Sequence, residues 1–122
     1  MKKSILIVDD MRSALLMMHI SLKKKYDVLM ADTATEAIRI FSMINVACIV
    51  IDINLSANIS DAGIELMSNL IRSGYSGKIV LMSGYSHKAI DPEVLALADH
   101  FMEKPFVISE LIEWLDKNIG EK

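Results

Sequence analysis

The sequence predicts an α/β fold in which a doubly wound, five-stranded parallel sheet lies between two layers of helices. Three short runs of consecutive apolar, mostly branched residues are typical of strands covered on both faces, namely 4–8, 47–51 and 78–82. Segments with apolar residues at helical spacing separate these runs. Strand and helix therefore alternate along the chain, and this alternation favours a parallel sheet with helices on both sides.

The strand at 4–8 is followed by a helix and then by a weaker strand at 27–31. The lysine run 23–25 lies at the expected end of the helix, where positive charge in solvent is favourable. The apolar face assigned to this helix consists of Met11, Leu15, Met18 and Leu22. We assign the methionines of this segment, which include Met17, mainly to core packing, with an exposed part that can dock a partner's helix.

The second and third helices lie on either side of the strand at 47–51. In the segment "TATE", Thr33 and Glu36 can form a capping box at the start of the second helix. Gly74 can close the third helix in a left-handed conformation. The assigned faces are Ile38, Phe41 and Ile44 in the second helix, and Ile64, Met67 and Ile71 in the third.

A short helix, a weaker strand and a last helix complete the predicted fold. Asp91 followed by Pro92 suits the cap and first residue of the fourth helix. The weaker strand fits 99–103. The last helix is expected from about Ile108 to Asn118, on the apolar positions Ile108, Leu111, Leu115 and Ile119.

Length, charge and hydropathy argue against nucleic-acid binding, membrane insertion and secretion. A chain of 122 residues is predicted to form one domain, 1–122, and its net charge of −3 favours no nucleic acid partner. No apolar run approaches the roughly 20 residues that span a bilayer, and acidic residues interrupt the apolar start too early for a signal peptide.

The single cysteine, Cys48, is interpreted as a small buried core residue, which fits the reducing cytoplasm. The three histidines lack a metal-ligand spacing and are interpreted as surface or hydrogen-bonded residues.

Polar residues follow four of the predicted strands at the point where each strand ends. Asp9 and Asp10 end the first strand, Asp52 ends the third, Ser83 ends the fourth, and Lys104 follows the fifth. In a doubly wound sheet, ligands bind outside the carboxyl ends of the strands, near the point where the strand order reverses. If the order is 2-1-3-4-5, the first and third strands are neighbours and their three carboxylates converge.

This set of residues predicts chemistry on a phosphoryl group. Converging carboxylates repel each other unless a cation joins them, and their hard oxygens suit Mg²⁺. A lysine and a hydroxyl on the same edge supply positive charge and a hydrogen-bond donor for phosphoryl oxygens. An aspartate can itself be the nucleophile that becomes an acyl phosphate. Asp52, alone at the centre of the edge, is the candidate acceptor.

The motifs "ILIVDD", "IVID", "LMSG" and "KPF" occur in this order over nearly the whole chain, which thereby resembles the receiver domain of two-component response regulators, especially the chemotaxis-type single-domain receivers with a flavodoxin-like fold. The resemblance implies that Asp52 accepts a phosphoryl group from a histidine kinase or a histidine phosphotransfer protein. It also implies that Asp10 binds Mg²⁺ directly, that Asp9 assists through water, and that the carbonyl of Asn54 is a further ligand.

The resemblance further implies a switch. Lys104 would pair with the phosphoryl oxygens, Ser83 would swing toward the phosphoryl group after transfer, and Phe101 would turn inward to fill the space left behind. Phe101 can equally be plain core. The surface that changes in this family usually combines the fourth helix, fifth strand and fifth helix, and a downstream output protein or domain reads it. Here that surface would include Asp99, His100, Met102 and the side of the last helix that bears Trp114. The chain would act as a phosphoacceptor rather than as an enzyme on a separate substrate.

The loop after Asp52 departs from the family pattern. Family members usually have a proline soon after the acceptor and a glycine about eight residues on, whereas this loop lacks the proline and reaches Gly63 eleven residues after Asp52. We therefore expect "NLSANISDAG" to form a longer lid beside the acceptor. Asn54 and Tyr85 stand at positions that border the site entrance in this family, where the resemblance implies that they can tune hydrolysis. Tyr85 can equally be an exposed loop tyrosine without such a role.

Three alternatives stay open or are weighed against this interpretation. An aspartate-nucleophile phosphatase of the haloacid dehalogenase type would need a second aspartate two residues after the nucleophile, where this chain has Asn54. A receiver fold retained as an interaction module, without phosphorylation, would leave the site unused. The sequence also does not decide between a freestanding receiver and the amino-terminal piece of a longer regulator, and it identifies neither the cognate kinase nor the oligomeric state.

Overall fold

The structure, a computed structural model, describes residues 2–54 and 62–120, which form five strands and five α-helices. The strands are β1 (Ser4–Val8), β2 (Asp27–Ala31), β3 (Cys48–Asp52), β4 (Lys78–Ser83) and β5 (His100–Glu103). The helices are α1 (Arg12–Leu22), α2 (Ala34–Met43), α3 (Ala62–Arg72), α4 (Pro92–Leu97) and α5 (Ile108–Asn118). Within these two ranges, no helix is long and apolar enough to cross a membrane.

The sheet is parallel throughout, with the strand order β2-β1-β3-β4-β5. This confirms the predicted fold class and strand order. Every residue of β3 is buried, and so are four of the five residues of β1, because helices cover both faces of these central strands. Parallel strands end at the same edge, so the residues that follow β1 and β3 lie next to each other.

Two hydrophobic cores lie on the two faces of the sheet, because side chains alternate between the faces along each strand. Leu6 and Val8 pack on one face, in the core covered by α2 and α3. Ile5 and Ile7 pack on the other face, in the core covered by α1 and α5. These two cores fix the positions of the helices relative to the sheet edge where the polar residues lie.

The predicted face of α1 is wrong at its first position. Met11 is 59% exposed, whereas Leu15, Met18 and Leu22 are buried. Met11 precedes the helix as its N-cap and has an extended backbone, so its side chain does not follow the helical period. Met17 is also exposed, and the assignment of these methionines to the core therefore holds only for Met18.

The predicted faces of α2 and α3 are rotated relative to the observed ones. Ile38 and Ile71 are exposed, and so is Ile44, which caps the end of α2 with an extended backbone. The buried residues are Ala37 and Ile40 in α2, and Gly63, Leu66, Met67 and Leu70 in α3. Small residues such as Ala and Gly carry little weight in an apolar pattern, yet they let a helix approach the sheet closely and so decide which face is buried.

The predicted helix ends are present in their main features. The Thr33 hydroxyl accepts a hydrogen bond from the backbone N–H of Glu36, at 3.1 Å. The reciprocal half of the capping box is missing, because the Glu36 carboxylate pairs with Arg39 one turn further along α2. Gly74 follows α3 with a φ of +90°, and Asp91 caps α4 through the N–H of Glu93.

The imidazole of His100 on β5 stacks on the indole of Trp114 on α5, with ring centroids 5.1 Å apart and planes inclined by 10°. Its Nε2 atom is buried and has no hydrogen-bond partner among the described residues, so the expected surface or hydrogen-bonded histidine is wrong in this respect. Burial lowers the pKa of His100, against the opposing effect of the Glu110 charge. The folded protein therefore holds His100 in its neutral form more strongly than the unfolded chain does.

The free energy of unfolding is expected to decrease as the pH falls through the ordinary histidine range, below about 6.5. A lowered pKa means that the unfolded state binds more protons there, so stability rises with pH over that interval and is fully present above it. Urea midpoints measured between about pH 7.5 and about pH 5.5 test this, with His100→Gln as the matched variant that cannot titrate. An equally steep decrease in both proteins would assign the pH effect to other groups.

Candidate functional site

The polar residues predicted from the strand ends meet at the carboxyl edge of the sheet. Asp9 comes directly after β1, and Asp52 and Ser83 are the last residues of β3 and β4. Lys104 comes directly after β5 and reaches back across the edge toward the centre of the sheet. Asp9, Asp52 and Ser83 are buried, which is unusual for polar side chains and requires specific partners.

Three carboxylates form a compact acidic cluster at this edge. Asp9, Asp10 and Asp52 each offer one oxygen, and these oxygens lie within 4.8 Å of one another. Asp9 and Asp52 are buried, whereas Asp10 is exposed. Such a set of hard oxygen donors fits a divalent cation that keeps several waters. The residues therefore satisfy the chemical requirement for the predicted metal site.

Lys104 bridges the two buried carboxylates. Its Nζ lies 3.1 Å from Oδ2 of Asp9 and 3.0 Å from Oδ2 of Asp52. Burial alone would lower the pKa of Lys104, but its hydrogen bonds and the carboxylate charges outweigh burial and leave that pKa above its usual value. Burial raises the pKa of Asp52, and the hydrogen bond and charge of Lys104 act in the opposite direction. The ammonium group is thus the cation that compensates the cluster among the described residues.

Backbone N–H groups hold the second oxygen of each buried carboxylate. Oδ1 of Asp9 accepts from the N–H of Met11 at 2.9 Å, and Oδ1 of Asp52 accepts from the N–H of Asn54 at 3.0 Å. Each is a short turn in which an aspartate binds the backbone two residues on. These turns fix the carboxylate planes before any ligand arrives. The sequence analysis did not predict these two turns. The signal for them is an aspartate at the first position of each loop, because aspartate favours a turn of this kind.

Ser83 lies on the far side of Asp52 from Asp9. Its Oγ accepts from the N–H of Tyr85 at 3.0 Å and donates to Oδ1 of Asn54 at 3.3 Å. The Tyr85 side chain is exposed beside this turn. The role predicted for the Asn54 carbonyl as a metal ligand stays a prediction. Of the lid expected over 54–63, residues 55–61 lie outside the described residues, and the structure assigns Ala62 and Gly63 to the first turn of α3.

The surface predicted to change with the switch is only partly exposed. Phe101 is half-buried against the core that α2 and α3 cover, which is compatible with both roles considered for it. The inclusion of Met102 is wrong, because its side chain is buried in the other core. The Asp99 carboxylate accepts from the N–H of Ile79 at 2.8 Å and so caps the start of β4. Of the other residues assigned to this surface, His100 on β5 and Trp114 on α5 are both partly exposed.

Gly63 brings the start of α3 against the end of β3. Its N–H donates to the carbonyl of Ile53 at 3.1 Å. A Cβ at this position would lie 2.7 Å from the Cα of Ile53 and would also collide with the carbonyl of Asp52. The glycine is therefore required for the close approach of α3 to the strand end that carries Asp52.

Gly63→Ala is expected to lower the free energy of unfolding by about 1–3 kcal/mol, because the backbone at the end of β3 and the start of α3 must move apart to admit the added methyl. Urea denaturation measures this. Gly84→Ala is the matched control, since nothing lies within 4 Å of a Cβ placed there. Equal midpoints for the two variants would contradict the steric argument.

Comparison with protein families identifies one family. A family model described as the response regulator receiver domain matches residues 5–116. Among curated protein sequences, none matches the chain.

Solved structures resemble the chain over nearly its full length. The response regulator TrrA of Thermotoga maritima, in complex with Mg²⁺–BeF, has 27% identity and a TM-score of 0.82, with 96% of this chain and 99% of that chain covered. A CheY-like receiver domain of Methylobacillus flagellatus has 25% identity and a TM-score of 0.83, with 96% and 98% covered. A CheY-like receiver domain protein of Methanospirillum hungatei has 25% identity and a TM-score of 0.82, with 96% and 93% covered.

Proposed function

The chain belongs to the response regulator receiver domains of two-component signalling, and on that premise we propose that it accepts a phosphoryl group on Asp52 in a reaction that depends on Mg²⁺. The observation that carries the proposal is the position of Asp52. Its carboxylate is buried at the centre of the edge, with one oxygen on Lys104 and the other on a backbone N–H. A nucleophile held in this way is aligned before its reaction partner arrives.

The proposed donor is the phosphohistidine of a histidine kinase or of a histidine phosphotransfer protein. An oxygen of Asp52 forms the new bond to phosphorus while the phosphorus–nitrogen bond of the donor breaks, and the bonding electrons leave with the imidazole, which takes up a proton. The product is an acyl phosphate with two negative charges to compensate. Lys104 is placed to compensate part of that charge throughout the transfer.

Asp9, Asp10 and Asp52 are the residues that would hold Mg²⁺. Their donor set is suited to it, and the similar TrrA structure is described as a complex with Mg²⁺–BeF, which supports the same ion here. When bound, Mg²⁺ supplies positive charge for the phosphoryl oxygens and for the acceptor carboxylate. The carboxylates of Asp9 and Asp52 are already oriented by the N–H groups of Met11 and Asn54.

The consequence of transfer is a change of surface rather than turnover of a separate substrate. The phosphoryl oxygens attract the Ser83 hydroxyl and the Lys104 ammonium, and Phe101 turns inward as the Ser83 segment moves. The altered surface of α4, β5 and α5 then binds an output protein or domain. The chemistry proposed for the chain is its own phosphorylation and the hydrolysis of its acyl phosphate. The protein is proposed to act in the cytoplasm, where the phosphohistidine donors are also expected.

The donor is proposed to rest on an apolar groove next to the acceptor. The groove has a volume of about 520 Å³ and lies between α1 and the segment after β5, with Met11, Met17 and Phe106 in its lining. Asp9 and Lys104 also line this groove. Lys104 contacts Asp52, so a donor helix seated in this groove would bring its histidine close to the acceptor. Adaptable methionines suit such a helix-in-groove contact.

Met17→Glu is expected to slow transfer from a phosphorylated histidine donor about tenfold or more, because the contact would bury a charge. Phosphorylation by acetyl phosphate, which needs no such contact, should be unchanged. Ile20→Glu is the control, since Ile20 is exposed on α1 but does not line the groove. Purified histidine kinases from the same genome serve as donors. Equal slowing by both variants would contradict the assigned groove.

The proposed function is tested by the intact mass of the protein after incubation with acetyl phosphate and Mg²⁺. A gain of one phosphoryl group that disappears when the metal is chelated is the expected result. No gain in the folded protein with any acyl phosphate or histidine donor would overturn the proposal and favour an interaction module.

A further inference from the structure

Ser83 and Asn54 form a side-chain hydrogen bond beside the acceptor. Ser83 is fully buried, and its Oγ donates to Oδ1 of Asn54, on the segment after β3, at 3.3 Å. The Oγ of Ser83 also accepts a hydrogen bond from the N–H of Tyr85, at 3.0 Å. Asn54 in turn donates its backbone N–H to Oδ1 of Asp52. One residue therefore contacts both the proposed acceptor and the proposed switch hydroxyl.

The orientation of the Asn54 amide follows from the needs of the Ser83 hydroxyl. The hydroxyl has one proton to donate, and the N–H of Tyr85 already points at its oxygen. Only the carbonyl end of the Asn54 amide can accept that proton. The reverse orientation would leave a buried hydroxyl proton without a partner, which is costly.

From this geometry we propose that Asn54 is a positioning residue that holds the Ser83 hydroxyl in the resting arrangement, so that the switch must break the hydrogen bond between them. The inference rests on the proposed function of Asp52. Because the hydroxyl carries one proton, it cannot donate to Asn54 and to a phosphoryl oxygen at the same time. Asn54 thus competes with the phosphoryl group for Ser83 and shifts the equilibrium toward the resting state.

The cost of breaking this bond is small enough to permit switching. The hydrogen bond from Ser83 to Asn54 is long for a hydroxyl donor. Because Asn54 is only half-buried, water can bind its side-chain Oδ1 once the Ser83 hydroxyl has moved away. Removing the competing acceptor should therefore favour the switched state by about 2–10-fold, the range of one ordinary hydrogen bond.

A double-mutant cycle in the metal-free protein tests the hydrogen bond itself. Urea midpoints are compared for the wild type, Asn54→Ala, Ser83→Ala and the double variant. We expect Asn54→Ala to lower the midpoint more in the wild-type background than in the Ser83→Ala background. Only in the wild-type background does the substitution leave the hydroxyl proton of Ser83 without an acceptor. Equal effects in both backgrounds would overturn the proposal, whatever the protein does with phosphate.

A titration with Mg²⁺ and beryllium fluoride, an analogue of the phosphoryl group, tests the competition. Binding is followed by the NMR shift of the Tyr85 amide. Asn54→Ala is expected to tighten binding about 2–10-fold, and to lose that effect in the Ser83→Ala background. Weaker binding by Asn54→Ala, or the same tightening in both backgrounds, would overturn the competition.

The two measurements separate the failure of this inference from the failure of the proposed function. Coupling in urea without any binding of Mg²⁺ and beryllium fluoride by the wild type would mean that the hydrogen bond is structural only, and would reject both the switch and the acceptor role. Binding by the wild type without coupling would reject the role of Asn54 alone.

Discussion

Replacement of Asp52 by asparagine is expected to abolish the gain of one phosphoryl group from acetyl phosphate in the presence of Mg²⁺. The two side chains have nearly the same shape, but an amide is not a nucleophile toward phosphorus. Asparagine keeps one oxygen, which can accept either from Lys104 or from the N–H of Asn54, and Lys104 also keeps its contact with Asp9. The variant should therefore stay folded while its mass remains unchanged.

Two controls make the loss specific to Asp52. The phosphorylated wild type should lose its added mass in neutral hydroxylamine, which cleaves acyl phosphates but leaves serine phosphates intact. Far-UV circular dichroism should be the same for the wild type and Asp52→Asn. A phosphoryl group that is still gained by the variant, and that resists hydroxylamine, would identify a hydroxyl such as that of Ser83 as the acceptor instead.

The strand ends are the part of the site that sequence reasoning places well. A continuous apolar run marks a strand with both faces buried, and the first polar residue after it marks the edge where the strand stops. For Asp52 and Ser83 these signals coincide with the observed ends of β3 and β4. The helix faces are less well placed, because Ala37 and Gly63 decide them through closeness to the sheet rather than through hydrophobicity.

The contacts between the site residues depend on geometry that no spacing contains. Lys104 and Asp9 are 95 residues apart in the chain, and only the sheet order and the path after β5 bring the ammonium onto both buried carboxylates. The hydrogen bond from Ser83 to Asn54 likewise joins the ends of two neighbouring strands. Sequence patterns name such residues as candidates, but the pairing itself follows from the tertiary fold.

Replacement of Lys104 by methionine is expected to lower the free energy of unfolding of the metal-free protein by about 2–4 kcal/mol, because it removes the cation from a cluster of buried carboxylates. Methionine keeps most of the length and apolar surface of the lysine stem. The Lys104 side chain is 28% exposed, and its partners Asp9 and Asp52 are 0% and 7% exposed, so solvent compensates little of the lost charge.

Lys25→Met is the matched control on the surface. Lys25 pairs with Asp116 at 2.7 Å, but the two side chains are 60% and 38% exposed. An exposed pair of this kind stabilises a protein by no more than about 1 kcal/mol. Urea denaturation of both variants at the same ionic strength therefore separates the effect of burial from the effect of losing a lysine.

Mg²⁺ should restore most of the stability that Lys104→Met loses, and should stabilise this variant more than the wild type. A divalent cation on the three carboxylates compensates the same charge that the ammonium compensates, and binding to the folded state alone raises the free energy of unfolding. Restoration by Mg²⁺ in Lys104→Met, with no comparable gain in Lys25→Met, would identify the carboxylate cluster as the origin of the loss. A loss that Mg²⁺ leaves unchanged would instead assign the role of Lys104 to packing of its stem.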